Sequence, residues 1–121
     1  MSKKLEVQKI ERDRLMRWIN ENNDFVLIDV LGEDSYEGRH LPKAKNVDLG
    51  KSTFLNDVEE LVLDKKKQVV VYCASFDCHA STKASEKLIK DGYEEVYDFE
   101  GGIADWEDAG YPFEKQGQLI Y

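Results

Sequence analysis

The chain has 121 residues, 41% hydrophobic and 35% charged, with a formal net charge of −8. That length supports one domain over residues 1–121, large enough for a real core and too short for two. The acidic balance argues against a broad nucleic-acid surface or binding to anionic membranes, and no run approaches the ~20 apolar residues of a membrane helix.

The opening Met1-Ser-Lys-Lys-Leu5 has two lysines but no apolar run behind them, so no secretory signal is expected. Glu6 to Ile10 reads as a short edge strand. Glu11 to Asn22 carries Leu15, Met16, Trp18 and Ile19 at helical spacing, a stripe that reads as core packing. Phe25-Val-Leu-Ile-Asp-Val30 is a nearly continuous apolar run, as expected for a strand covered on both faces. An irregular stretch follows to about Lys51, with Gly32, Gly38, Pro42 and Gly50. Asn56 to Leu63 has acids near its start and apolar residues at Val58, Leu61 and Val62, which predicts a short capped helix.

Lys65-Lys-Lys67 leads into Val69-Val-Val-Tyr72, a buried strand with Cys73 at its carboxyl end. The polar loop Ala74-Ser-Phe-Asp-Cys-His79 comes next, and then a helix from Ala80 and Ser81 to Gly92, a good residue for a helix stop. Glu95 to Phe99 is a further strand. Gly101-Gly102 turns it into a helix from Ile103 to Asp108, which Gly110 and Pro112 end. The tail from Glu114 to Tyr121 either packs back or frays. Alternating strands and helices with short connections imply a parallel sheet with helices on both faces, where ligands bind at the carboxyl ends of the strands. Cys73, Asp29 and the Glu100-Gly-Gly102 turn all fall at such ends.

A thiol between a strand end and a helix start meets backbone N–H groups and a helix dipole, which depress its pKa and make it a nucleophile. Cys73 therefore reads as the catalytic thiol. Cys78 stands only three residues before Ser81, too close to the helix for a loop to wrap its sulfur. It reads as an incidental loop cysteine or as a resolving thiol that closes a Cys73–Cys78 disulfide. Two cysteines five apart make no disulfide framework, and a reducing cytoplasm is the expected compartment. His40, His79 and the cysteines lack the paired spacing of a zinc site, so no metal and no cofactor are expected. Asp29 is a candidate for orienting loop backbone, and Trp106 for packing the last helix.

Three segments resemble the rhodanese-like sulfurtransferase family. Leu27 to Val47, with Asp29-Val30 and His40-Leu-Pro42, is similar to its Asp-Val-Arg strand and Gly-His-Ile-Pro-Gly-Ala box. Val70 to Cys73, with Ala84 and Leu88 behind it, resembles the catalytic strand and loop. Val96 to Pro112, with Gly101-Gly102, Trp106 and Ala109-Gly-Tyr-Pro112, resembles the closing signature. Together they cover residues 25–114. The resemblance implies a three-layer α/β domain with a central, mainly parallel sheet of about five strands. It also implies a Cys73 persulfide, taken from a small sulfur donor and passed to a small thiol or a protein cysteine. His40 in this setting supports structure.

Departures from the family pattern narrow the expectation. Ala80 stands where an arginine would clamp an anionic donor, Leu31 replaces the arginine of Asp-Val-Arg, and Lys43 replaces a glycine. The loop between Cys73 and Ala80, Ala74 to His79, holds six residues instead of the usual four, and Asp77 would repel an anion. Weak or absent thiosulfate:cyanide transfer is expected. The persulfide would rest on a backbone amide cradle formed by Ala74, Ser75, Phe76, Asp77, Cys78, His79, Ala80 and Ser81. The alternatives are a non-catalytic binding or regulatory module and a Cys73–Cys78 redox switch. The sequence leaves the oligomeric state open.

Overall fold

The computed structural model describes residues 6–120; the readings of Met1 to Leu5 and of Tyr121 lie outside them. Five parallel strands form one sheet in the order β1-β5-β4-β2-β3. They are β1 (Gln8–Lys9), β2 (Phe25–Asp29), β3 (Lys45–Asn46), β4 (Gln68–Tyr72) and β5 (Glu95–Phe99). The helices are α1 (Arg12–Asn20), α2 (Glu33–Gly38), α3 (Phe54–Leu61), α4 (Ala80–Lys90) and α5 (Gly102–Asp108). The architecture is the expected α/β one.

Alternation along the strands divides the core in two. Leu27, Val70, Tyr72, Tyr97 and Phe99 pack with Leu15, Trp18 and Ile19 of α1 and Trp106 of α5. Ile28, Val69, Val71, Cys73 and Val96 point the other way, onto Phe54 and Val58 of α3 and Ala84 and Leu88 of α4. Each fully buried aliphatic or aromatic side chain here contributes roughly 1.5–3 kcal/mol, so both layers are needed. Trp106 packs the last helix as read, and its indole N–H donates to the Pro112 carbonyl at 2.8 Å.

The structure differs from the sequence reading where local signals are weak. Helix α2 has no buried residue, hence no apolar stripe to announce it. Helix α3 starts two residues earlier than expected, because Phe54 is buried and anchors its first turn. The tail packs back as an antiparallel hairpin, β6 (Phe113–Lys115) with β7 (Gln118–Ile120). Its turn has positive φ at both Gln116 (51°) and Gly117 (80°), the twist that matches a two-residue hairpin. Glu114 exchanges backbone hydrogen bonds with His40, which ties the hairpin to the segment after α2.

Candidate active site

Strand β4 delivers Cys73 to the site. Because Val69 and Val71 face α3 and α4, Cys73 faces them too, and its side chain lies under the start of α4, fully buried. Its thiol donates toward the Cys78 carbonyl (3.4 Å) and the Ser81 hydroxyl (3.5 Å). The loop turns at Ser75, whose carbonyl accepts the Cys78 N–H at 3.0 Å. This turn brings Cys78, half-buried, back onto Cys73, so that the two free thiols lie within hydrogen-bond reach of each other.

Three N–H groups, one in the loop and two in the first turn of α4, favour negative charge on sulfur: those of Ala74 and Ala80 on Cys78, and that of Ser81 on Cys73. The two thiols answer differently. Burial pushes Cys73 up, the Cys78 side chain adds to this, and Ser81 only partly offsets it. Burial also works against a Cys78 thiolate, but hydrogen bonds from the Cys73 thiol and from the Ala74 and Ala80 amides outweigh it, and Cys78 is lowered. The expected depression of Cys73 is thus reversed, because its side chain enters the core instead of facing the loop amides. The expectation that nothing can wrap the Cys78 sulfur is corrected as well, since Ala74 reaches it across the turn. Phe76, Asp77 and His79 are exposed and Ala80 begins α4 half-buried, so His79 is the loop's one candidate cation.

The loop is held from behind by the Gly101-Gly102 turn. Gly102 has φ +59°, and a Cβ there would sit 2.2 Å from the Cys73 carbonyl oxygen and 2.9 Å from the Ala74 carbonyl carbon. The first amides of α5 then use those carbonyls: Ile103 N–H donates to Cys73 (3.1 Å) and Ala104 N–H to Ala74 (2.9 Å). Donors that a helix start leaves without partners thereby fix the loop.

Two buried carboxylates flank this region. Asp29 accepts the Leu31 N–H and the Tyr72 hydroxyl, each at 2.9 Å, and that hydroxyl in turn accepts the Leu41 N–H at 3.1 Å. It therefore organises backbone beyond β2. His40 Nδ1–H donates to the Tyr36 carbonyl (2.9 Å), and the ring stacks on the Tyr36 ring and lies 3.4 Å from Glu114, a support role. The second carboxylate, Asp98, was not singled out from the sequence. It faces α4, with Oδ2 accepting the Thr82 hydroxyl at 3.0 Å, while Oδ1 is buried without a hydrogen-bond partner. The available signal was an acid inside the apolar strand Val96-Tyr-Asp-Phe99.

With this geometry in hand, comparison with known proteins is specific. The family model for a rhodanese-like domain matches residues 11–109. The chain is similar to the thiosulfate sulfurtransferase GlpE of Coxiella burnetii, 34% identical over 84 residues that cover 69% of this chain and 73% of that protein. It is similar to part of the adenylyltransferase and sulfurtransferase UBA4 of Meyerozyma guilliermondii, at 31% identity over 76% of this chain and 23% of that protein. In fold it resembles the BH2092 protein of Bacillus halodurans, with a TM-score of 0.80 at 24% identity, covering 94% of this chain and 84% of that one. The polysulfide-sulfur transferase of Wolinella succinogenes superimposes with a TM-score of 0.71 at 23% identity, over 93% and 81% of the two chains.

Proposed function

The chain belongs to the rhodanese-like domain family, and from that premise we propose that it is a sulfurtransferase holding sulfane sulfur as a Cys73 persulfide. The observation that carries this reading is the Cys73 thiol at the end of β4, donating to the Cys78 carbonyl and the Ser81 hydroxyl under the start of α4, where the Ala74, Ala80 and Ser81 amides favour negative charge on the two neighbouring sulfurs. The Cys73 thiolate attacks the sulfane sulfur of a donor. A new S–S bond forms on Cys73, and the donor's remaining sulfur leaves with the bonding pair as a thiolate or shorter polysulfide. An acceptor thiolate then attacks the outer sulfur, and Cys73 departs as thiolate. No net oxidation occurs. Cys73 is covered, so the 74–79 loop opens for the donor to reach it.

Amides stabilise the terminal persulfide charge without needing any particular side chain. With Ala80 where an arginine fork would clamp a dianion, polysulfides or thiol-bound sulfane sulfur suit this loop better than thiosulfate. The contact between the sulfurs favours a second reading of the same site. Cys78 attacks the inner sulfur of a Cys73 persulfide, closing a Cys73–Cys78 disulfide and releasing hydrosulfide.

The test is a transfer assay with polysulfide and with thiosulfate as donors and a small thiol as acceptor. Polysulfide is expected to support turnover that Cys73→Ser abolishes, and thiosulfate to support far less. Cys78→Ser is expected to retain loading and lose hydrosulfide release. If both variants match the parent, the domain is a binding module.

A further inference from the structure

A buried thiol with a raised pKa is a poor nucleophile until something takes its proton. The one loop base in contact with Cys73 is a Cys78 thiolate, whose lowered pKa beside the raised Cys73 makes it a weak acceptor for that proton. His79 is exposed at the α4 start, and the Cys78 carbonyl accepts a hydrogen bond but not a proton. The remaining neighbour is Ser81, almost fully buried, whose hydroxyl accepts from the Cys73 thiol at 3.5 Å. On the far side of that hydroxyl stands Asp98.

Asp98 is 3% exposed, and its Oδ1 is the one buried side-chain oxygen or nitrogen without a hydrogen-bond partner among the described residues. Thr82 fixes Oδ2 at 3.0 Å, which holds the carboxyl in place. Ser81, next in the chain to that threonine, neighbours the carboxyl and favours its charged form, while making no hydrogen bond to Oδ1 in this conformation. Burial of an unsatisfied carboxylate oxygen costs roughly 1–3 kcal/mol, so a structural purpose would call for a partner at Oδ1. The other charges facing Asp98 are Glu100, which disfavours its ionisation, and Lys9, which favours it and is itself paired with Glu100 at 3.2 Å. The Asp98 charge also reaches Cys78 and opposes its ionisation.

We propose that Asp98 is the proton acceptor for Cys73, reached through the Ser81 hydroxyl. The Ser81 hydroxyl first closes onto the open Oδ1; Cys73 then gives its proton to Ser81 Oγ as the Ser81 hydroxyl proton moves to Asp98 Oδ1, so the thiolate forms without charge leaving the buried site. Burial pushes the Asp98 carboxyl up, which brings its proton affinity nearer to that of a thiol. The reverse path reprotonates Cys73 when an acceptor removes its sulfur. This role rests on Cys73 being the reacting thiol of the proposed function, and Asp98 acts through Ser81 as a positioning and proton-holding residue.

An aromatic disulfide reagent whose leaving thiolate absorbs visible light isolates the step. The reagent first modifies Cys78, the more accessible thiol with the lowered pKa, and releases one chromophore. Cys73 then attacks Cys78 Sγ, a Cys73–Cys78 bond forms, the bond to the reagent breaks, and a second chromophore leaves with the bonding pair. In Asp98→Asn the second release is expected to slow roughly tenfold near neutral pH and to climb with pH where the parent is flat. Ser81→Ala is expected to do the same, which guards against a folding defect in either variant. If Asp98 were only a nearby negative charge, its removal would ease Cys73 ionisation, and the second release would speed up. A faster or unchanged second release in Asp98→Asn overturns the proposal, as does a parent protein that releases no second chromophore. Failure of polysulfide to load Cys73 while both variants still slow the second release would reject the sulfur-transfer reading and uphold the proton path.

Discussion

Asp29 and Asp98 are carboxylates sealed into opposite faces of one sheet, with β4 between them. Asp29 pairs in register with Tyr72, which faces α1 and α5, and Asp98 with Val71, which faces α3 and α4. Burial pushes both carboxyls up. Asp29 meets that cost with two donors, the Leu31 N–H and the Tyr72 hydroxyl. Asp98 leaves one oxygen unpartnered, next to the serine that touches Cys73. The difference separates two uses of a buried acid. One with both oxygens engaged stitches backbone together, while one with an open oxygen beside a thiol is available for chemistry.

The largest effect is expected where the thiol side depends on backbone alone. Gly102→Ala forces a Cβ into the Cys73 and Ala74 carbonyls at a positive φ, and should cost about 3–4 kcal/mol in denaturant unfolding. Next comes Asp29→Asn. An amide cannot accept from both the Leu31 N–H and the Tyr72 hydroxyl as a carboxylate does, so a loss of about 2 kcal/mol is expected. The rate of the Cys73 step in the folded protein should stay within about twofold. Tyr72→Phe removes the hydroxyl that links Asp29 to the Leu41 N–H and should cost about 1–2 kcal/mol by thermal melts.

The smallest stability effect, and the one of opposite sign, belongs to Asp98→Asn. A carboxyl whose folded pKa is raised binds more protons folded than unfolded, so stability falls as pH rises from the ordinary carboxylate value through the raised one. Replacing it removes that slope. The variant should therefore melt higher than the parent near neutral pH, with the gain shrinking in acid. A uniform loss at all pH values would make Asp98 a structural acid like Asp29.

Much of this was legible in the chain itself. The apolar run from Phe25 to Val30, the Val69 to Tyr72 strand and the helix behind it each carry a strong pattern, and the strand end marked Cys73. The Gly-Gly turn was legible as a turn, but not as the close approach to the Cys73 carbonyl that demands glycine. What escaped lies in side-chain direction and partners. Strand alternation sends Cys73 under α4 rather than toward the loop amides, which reverses its proton affinity relative to Cys78. Asp98 escaped because an acid in a strand acquires meaning only from its missing partner. The tail hairpin escaped because Gln116 rarely signals a positive φ.

The central claim, sulfur carried on Cys73 in an amide-lined loop, is tested most directly by intact-mass measurement after incubation with polysulfide and removal of excess donor. The account predicts a gain of one sulfur atom in Cys78→Ser, mapped to Cys73 by fragmentation, the same gain or its successor, a Cys73–Cys78 disulfide two hydrogens lighter, in the parent, and neither in Cys73→Ser. An unmodified parent, or an adduct that persists undiminished in Cys73→Ser, would contradict it.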